Sequence, residues 1–335
     1  SVDCLTYFRV QRMMENEANM SSNLTMDGSV EDCFKTYIVL KPTSSYIIDS
    51  IFGCIVNIVL GVIGTCLNAL VICVFWKTPK LRLKVSYFMI MVLSTIDLSV
   101  CIIVHPLHVI NSIGEITQTA KCGIKMAYQT SAVIFSGASF LTFFIMNCER
   151  FLSIAHPFFH LCHVTKHRCL VLSFLPWIIS VVTGIAPVFD LNIQSFITIL
   201  ALLVIIGTFY IYVCIYIVAR KRRNSRERSI SAGTDELDFS QDSSRGAMAA
   251  LQSKKTVSFL HDIQLAKMYL FVVLSSIGLN LPNAVGLAMY ADRVETVDVI
   301  VHLKIWTVTL VAMNSTMNCI IFFWSNNRLR KEGWR

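Results

Sequence analysis

The residues of this chain best equipped for chemistry sit where they are expensive to keep. Asp97 lies midway in the apolar run LSTIDLSVCIIVHPL, Asn68 interrupts GTCLNALV, Ser139 interrupts SGASFL, and Asn314, Ser315 and Asn318 interrupt MNSTMNCII. Glu149 and Arg150 close a long apolar run that begins near Met126. A carboxyl group in an apolar interior needs partners. Asn314 and Asn318 are four residues apart and so share one helix face. The set reads as one polar cluster around Asp97. It can hydrate a monovalent cation there, or it can hydrogen-bond helices to one another with no ion; the residues alone leave both readings open.

The elements that must position these groups follow from composition. Of 335 residues, 55% are hydrophobic and 15% charged, against about 25% charged in ordinary soluble domains. Mean hydropathy is +0.62. This is the composition of a polytopic membrane protein. A formal net charge of +8 raises nucleic-acid binding, but the basic residues gather in loops between apolar runs, which fits membrane topology better. Most of the twelve cysteines fall in or beside apolar runs without metal-ligand spacing and read as small buried hydrophobes. Cys4, Cys33 and Cys122 are the ones available to an oxidising compartment.

Seven apolar segments are expected, at about 46–76, 85–111, 124–148, 169–189, 194–219, 265–290 and 299–324, each long enough for a helix to cross about 30 Å of hydrocarbon. The expected fold class is therefore all-α, a seven-transmembrane helix bundle. Lys77, Lys80, Arg82 and Lys84 follow segment one; Arg150, Lys166 and Arg168 follow segment three; Arg220, Lys221, Arg222 and Arg223 follow segment five. Basic loops on one side place residues 1–45 as an extracellular tail and the C-terminus in the cytoplasm. Glu149 and Arg150 then mark a cytoplasmic exit. The tail carries two glycosylation acceptor patterns, at Asn19 and Asn23. Residues 220–260, rich in Ser, Arg, Asp and Gly, read as a flexible third cytoplasmic loop. Its Ser225 and Ser229, behind arginines, are either basic-directed phosphorylation sites or incidental serines of a solvated linker. Residues 325–335, SNNRLRKEGWR, suit a short amphipathic helix on the membrane surface.

Seven spans with Asn68, Asp97, a Glu-Arg pair ending segment three, Trp177 in segment four, Pro282 in segment six and Asn314-Ser315-x-x-Asn318 in segment seven resemble the rhodopsin-like (class A) G-protein-coupled receptors. The resemblance covers about residues 50–331 and rests on the order and spacing of these landmarks together. It implies a receptor at the plasma membrane, not an enzyme, that transmits binding of an extracellular or lipid-borne ligand to a heterotrimeric G protein. By the same resemblance Glu149 and Arg150 form the switch pair. Asp262 would be the partner that holds the arginine at rest, and Tyr212 the partner that meets it when active. Pro157 and Phe158 would dock into the G protein. Asp97, Ser139, Asn314, Ser315 and Asn318 match the family's sodium site, so the implied cofactor is at most a structural sodium ion.

The chain also departs from that family. Phe151 stands where a Tyr is usual, Asn280 replaces the aromatic toggle and Ser276 the Phe below it. Val204 replaces a kink proline, and Cys319 and Phe322 replace the segment-seven Pro and Tyr. Loss of a helix proline removes a source of kinking, so the relay above Arg150 is rewritten. Residues 189–195 hold no cysteine, so the family's usual bridge cannot form; Cys122 pairs with Cys33 across the pocket mouth or stays free. The short second extracellular loop, the missing segment-five proline and the FFHLCHVTKHR stretch are most similar to the melanocortin, cannabinoid and lysolipid receptors.

Ala132 stands where amine receptors carry an Asp, and Ala312 where opsins carry the retinal lysine. The pocket expected from the resemblance is lined by His108, Tyr128, Gln129, Ala132, Ser136, Asn280, Asn283, Tyr290 and Lys304, with Lys125 and Lys304 at the rim able to favour an anionic ligand. A second class of function, motivated by the altered residues, is a heptahelical ligand scavenger or heteromer partner that does not couple to G proteins. A transporter is less consistent, because no repeat relates the two halves.

Overall fold

The computed structural model describes residues 30–33, 36–39, 41–189, 194–235, 273–285, 297–325 and 330. Among them six helices are long and apolar enough to cross a bilayer: Ser44–Lys77, Val85–Ile116, Cys122–Ala155, Lys166–Ile185, Ser195–Val218 and Ile305–Phe323. A further helix over 273–285 falls within the expected sixth segment. The architecture is a helical membrane bundle.

In chain order a hairpin of β1 (Val30–Cys33) and β2 (Thr36–Val39) precedes α1 (Ser44–Lys77) and the short α2 (Pro79–Arg82). Span two comprises α3 (Val85–Ser99) and α4 (His105–Ile116); span three comprises α5 (Cys122–Ser131) and α6 (Gly137–Ala155). Each is interrupted by one π turn, at Val100–Val104 and Ala132–Ser136. There follow α7 (Pro157–His163), α8 (Lys166–Ile185), α9 (Gln194–Asp235), α10 (273–285) and α11 (Val297–Ser325).

Local chemistry accounts for several of these boundaries. Thr43 Oγ1 accepts from the Tyr46 amide at 3.3 Å and opens α1, and Thr165 Oγ1 does the same for α8 through Arg168 at 3.3 Å. Pro157 sits in the first turn of α7, where its missing N–H costs nothing. Pro106 lacks the N–H that would continue the ladder just after the π turn of span two, where the His105 amide already reaches back five residues to the Val100 carbonyl.

Gly53, Asn57, Gly61, Gly64 and Asn68 form one buried stripe along α1, while Ile48, Ile55, Ile58 and Val62 lie exposed on the other side. That outer surface suits hydrocarbon rather than water. The stripe lets α1 pack closely against α11 and span two. A Cβ at Gly64 would collide with Cys101 Sγ and Thr316 Oγ1. Two apolar clusters fill the interior. One, built on Val71, Phe75, Ile90, Leu93, Phe143, Met146 and Phe322, lies toward the end of the bundle that carries Lys77 and Arg150, called here the basic end. The other joins Val100, Val104, Tyr128 and Ala312 toward the opposite, hairpin end.

Three features differ from the sequence expectations. The sequence reading assigns no strand to the tail, and Val30 pairs with Val39 and Cys33 with Thr36 in an antiparallel ladder packed against α5. Segment two does not stop at 111, since its helix runs to Ile116. The region expected to loop from 220 is helical as far as Asp235, consistent with the Arg, Lys and Glu content that follows Arg220. Residues 236–260, Asn19, Asn23 and all of the expected amphipathic segment except Ser325 and Arg330 lie outside the described residues.

Candidate functional site: a polar core along the bundle axis

Midway along the bundle, Asp97 is fully buried. Its Oδ1 accepts from Ser139 Oγ at 2.5 Å, and its Oδ2 accepts from Asn318 Nδ2 at 3.1 Å. Spans two, three and seven are thereby joined at one carboxyl group. Span one enters through Asn68, whose amide donates to the Gly64 carbonyl at 2.9 Å and to the Ser315 carbonyl at 3.5 Å. Cys319 Sγ donates to Asn68 Oδ1 at 2.6 Å. Cys319 therefore ties span seven to span one.

Asn314 Oδ1 and Asn318 Oδ1 are buried without hydrogen-bond partners among the described residues. Unpaired buried carbonyl oxygens are costly, and an oxygen-ligated cation beside a carboxylate is one arrangement that satisfies them. The five residues expected to hold sodium are all buried here. Asp97, Ser139 and Asn318 are directly bonded, and Ser315 and Asn314 share the span-seven helix with Asn318. The donor set therefore fits such an ion.

Toward the hairpin end the polar groups continue. His105 Nδ1 lies 2.7 Å from Asn57 Oδ1, and Asn57 Nδ2 donates to Thr309 Oγ1 at 2.9 Å. Among the expected pocket residues, His108 and Tyr128 meet, with Nδ1 and the hydroxyl 2.9 Å apart. Ala132 packs with Tyr128 in the apolar cluster. Ser136 and Asn280 are buried, and Asn280 Nδ2 donates to the Ser276 carbonyl of its own helix at 2.8 Å. Gln129 and Asn283 are half-buried. Tyr290 and the Lys304 side chain lie outside the description.

The outermost layer corrects one expectation. Lys125 does not offer a free charge to an anionic ligand, because its Nζ lies 2.7 Å from Glu115 Oε1. Glu115 is 1% exposed, and its Oε2 accepts from the Tyr46 hydroxyl at 2.5 Å. Spans one, two and three are thus joined by a buried carboxylate. The sequence analysis missed Glu115, which it placed beyond the end of segment two. The available signal was the stretch NSIGEI, residues 111–116, in which Asn111 and Glu115 are four apart and share a helix face. Asn57 and His105, polar residues within apolar runs, were legible by the same criterion as Asp97.

At the basic end, Glu149 and Arg150 are both buried, with Arg150 Nε 3.4 Å from Glu149 Oε2. Glu149 Oε1 lies 2.8 Å from His160 Nε2 and accepts from Ser86 Oγ at 3.3 Å. His160 belongs to α7, the helix that begins at Pro157 and leaves Phe158 84% exposed. Tyr212 on α9 packs against the apolar cluster above the pair. Asp262 lies outside the described residues. Cys122 is disulfide-bonded, which overturns the reading of it as a free thiol. The nine cysteines Cys54, Cys66, Cys73, Cys101, Cys148, Cys162, Cys169, Cys214 and Cys319 are free.

Comparison with known proteins agrees with this arrangement. The family model "7 transmembrane receptor (rhodopsin family)" matches residues 67–196. Melanopsin-B of Gadus morhua is 29% identical over 130 residues, covering 39% of this chain and 21% of that protein. Adenosine receptor A3 of Canis lupus familiaris is 27% identical over 139 residues, covering 42% of this chain and 43% of the receptor, and the Bos taurus protein is 26% identical over the same length. The chain therefore spans less than half the length of these curated relatives.

Proposed function

We infer that this chain, a rhodopsin-family seven-transmembrane protein by the match over residues 67–196, is a ligand-operated switch of the plasma membrane that acts on a heterotrimeric G protein. The observation that carries the reading is the buried pair Glu149 and Arg150 lying beside a loop helix whose Phe158 stands open to a partner. In this reading residues 1–45 are extracellular, with Asn19 and Asn23 available for glycosylation, and Glu149 faces the cytoplasm. A ligand, extracellular or reaching the bundle from the bilayer, binds toward the hairpin end near His108 and Tyr128. It favours one of two packings of the spans and so acts through its differential affinity for them. The opposite end responds when Arg150 leaves its resting partners, Glu149 and Asp262, and turns toward Tyr212. Pro157 and Phe158 then engage the G protein.

A sodium ion, when bound, would supply one positive charge beside Asp97, held by Asp97, Ser139, Ser315 and the amide oxygens of Asn314 and Asn318. What this chain's own residues do there is join spans two, three and seven. The melanopsin and adenosine-receptor likenesses do not name a ligand for this chain. Ala312 at the retinal-lysine position and Ala132 at the amine-receptor aspartate position carry neither of those chemistries.

A second reading, a scavenger or heteromer partner that does not couple, draws on Asn280, which bonds its own helix, and on Cys319, which ties spans one and seven together. The two readings separate in a ligand screen read by a panel of G-protein sensors, run on the chain and on Asp262→Ala. Raised basal activation of at least one sensor by Asp262→Ala, at normal surface expression, supports the switch; silence of every sensor in both forms supports the second reading.

A further inference from the structure

Between the end of α4 and the start of α5 a cleft of about 260 Å³ opens at the side of the bundle, lined by Ile110, Asn111, Ile113, Gly114, Lys121 and Ile124 among others. Three observations bear on what it holds. Asn111 is 5% exposed, yet its side-chain amide makes no hydrogen bond among the described residues, and it lines the cleft. Neither polar atom of that side chain is fully enclosed, so the amide stays open to an acceptor in the cleft. Lys121 is exposed at the rim and forms no ion pair among the described residues. Ile110 and Ile113 are each 50% exposed, so the apolar wall faces away from the bundle, toward bilayer hydrocarbon if the helices span a membrane.

Size narrows the choice. Pockets that enclose a whole drug-sized ligand run from about 300 to 1,000 Å³, and this cleft is below that range. It suits one end of an elongated molecule whose remainder lies along the helices. An ammonium at the rim, an amide donor inside and an isoleucine wall running into hydrocarbon match a phosphate, an ester oxygen and an acyl chain in that order.

We propose that this cleft binds one phospholipid of the adjoining leaflet, its phosphate on Lys121, an ester or phosphate oxygen accepting from the Asn111 amide, and its chain along Ile110, Ile113 and Ile124. Gly114 and Ile124 are the chain neighbours of Glu115 and Lys125, so an occupied cleft buttresses that buried ion pair. The inference rests on the membrane-spanning reading and not on G-protein coupling.

The test uses the purified full chain in detergent, with dioctanoyl phosphatidylglycerol and dioctanoylglycerol as probes, counted by native mass spectrometry. The expected result is saturable binding of one phosphatidylglycerol. Lys121→Glu and Asn111→Leu should each weaken it roughly tenfold, the size expected for loss of a charge-assisted or buried hydrogen bond. Lys121→Arg should preserve it, and dioctanoylglycerol, which lacks the phosphate, should bind the native chain as weakly as the variants bind the phospholipid. Matching lipid-free melting temperatures certify that the variants fold. Equal uptake of both probes by all forms, or uptake that never saturates, overturns the proposal by showing annular lipid only. Failure of the underlying membrane reading looks different, because the chain would then stay monodisperse without detergent.

Discussion

His160 Nε2 lies 2.8 Å from Glu149 Oε1, so the loop helix that exposes Phe158 is fastened to the carboxylate of the buried Glu149–Arg150 pair itself. The Glu149 carboxylate has Ser86 and His160 at one oxygen and Arg150 beside the other. Moving the loop therefore disturbs what holds Arg150. Replacing His160 by Ala removes that link without touching Arg150. Basal activation of a responsive G protein should rise several-fold, as expected for loss of about 1 kcal/mol of hydrogen bonding that favours the resting state. Nucleotide exchange on reconstituted chain measures it, and unchanged exchange would mean the contact only packs the loop.

The Asp97 cluster makes a separate prediction. Sodium that binds the folded chain and not the unfolded one stabilises it by mass action. Melting temperature should therefore rise with sodium chloride, relative to the same concentration of a large organic cation. Asp97→Asn keeps the shape of the side chain but removes its charge, and should abolish the difference. A melting curve indifferent to sodium in both forms leaves the cluster as hydrogen-bonded glue between helices.

Glu115 and Lys125 form an ion pair whose side chains are 2% and 12% exposed. Removing one partner leaves a charge without its mate, at a cost of about 3–5 kcal/mol, whereas replacing both by apolar residues is often neutral. Lys125→Met should thus lower the melting temperature markedly. Glu115→Leu combined with Lys125→Met should recover most of the loss, less the hydrogen bond to Tyr46. A double variant as unstable as the single one would show that the pair is not coupled in this way.

Much of this was legible in the sequence because hydrocarbon penalises polar groups so strongly. Asp97, Asn68, Ser139 and Asn318 stand out against apolar runs, and the structure brings them together. The span positions follow from run length for the same reason. Glu115 was missed because Asn-Ser-x-Gly after Ile110 reads as a turn, while tertiary packing carries the helix to Ile116. His160 could not be read from spacing, since its approach to Glu149 depends on α7 folding back beside the end of span three. The β-hairpin was hidden because its strands are only four residues each and carry no alternating apolar face. The binding partner of Lys125 follows from where two helix ends meet, which no single-segment pattern encodes.

The proposed switch requires that Glu149 restrain Arg150 at the face proposed to meet a G protein. The most direct measurement is nucleotide exchange on a panel of heterotrimeric G proteins by reconstituted chain carrying Glu149→Gln, and by the same variant with Arg150→Ala added. The account predicts that Glu149→Gln raises exchange on at least one heterotrimer and that adding Arg150→Ala abolishes the gain. Exchange at the protein-free rate for every heterotrimer, from variants whose melting curves show them folded, would contradict it.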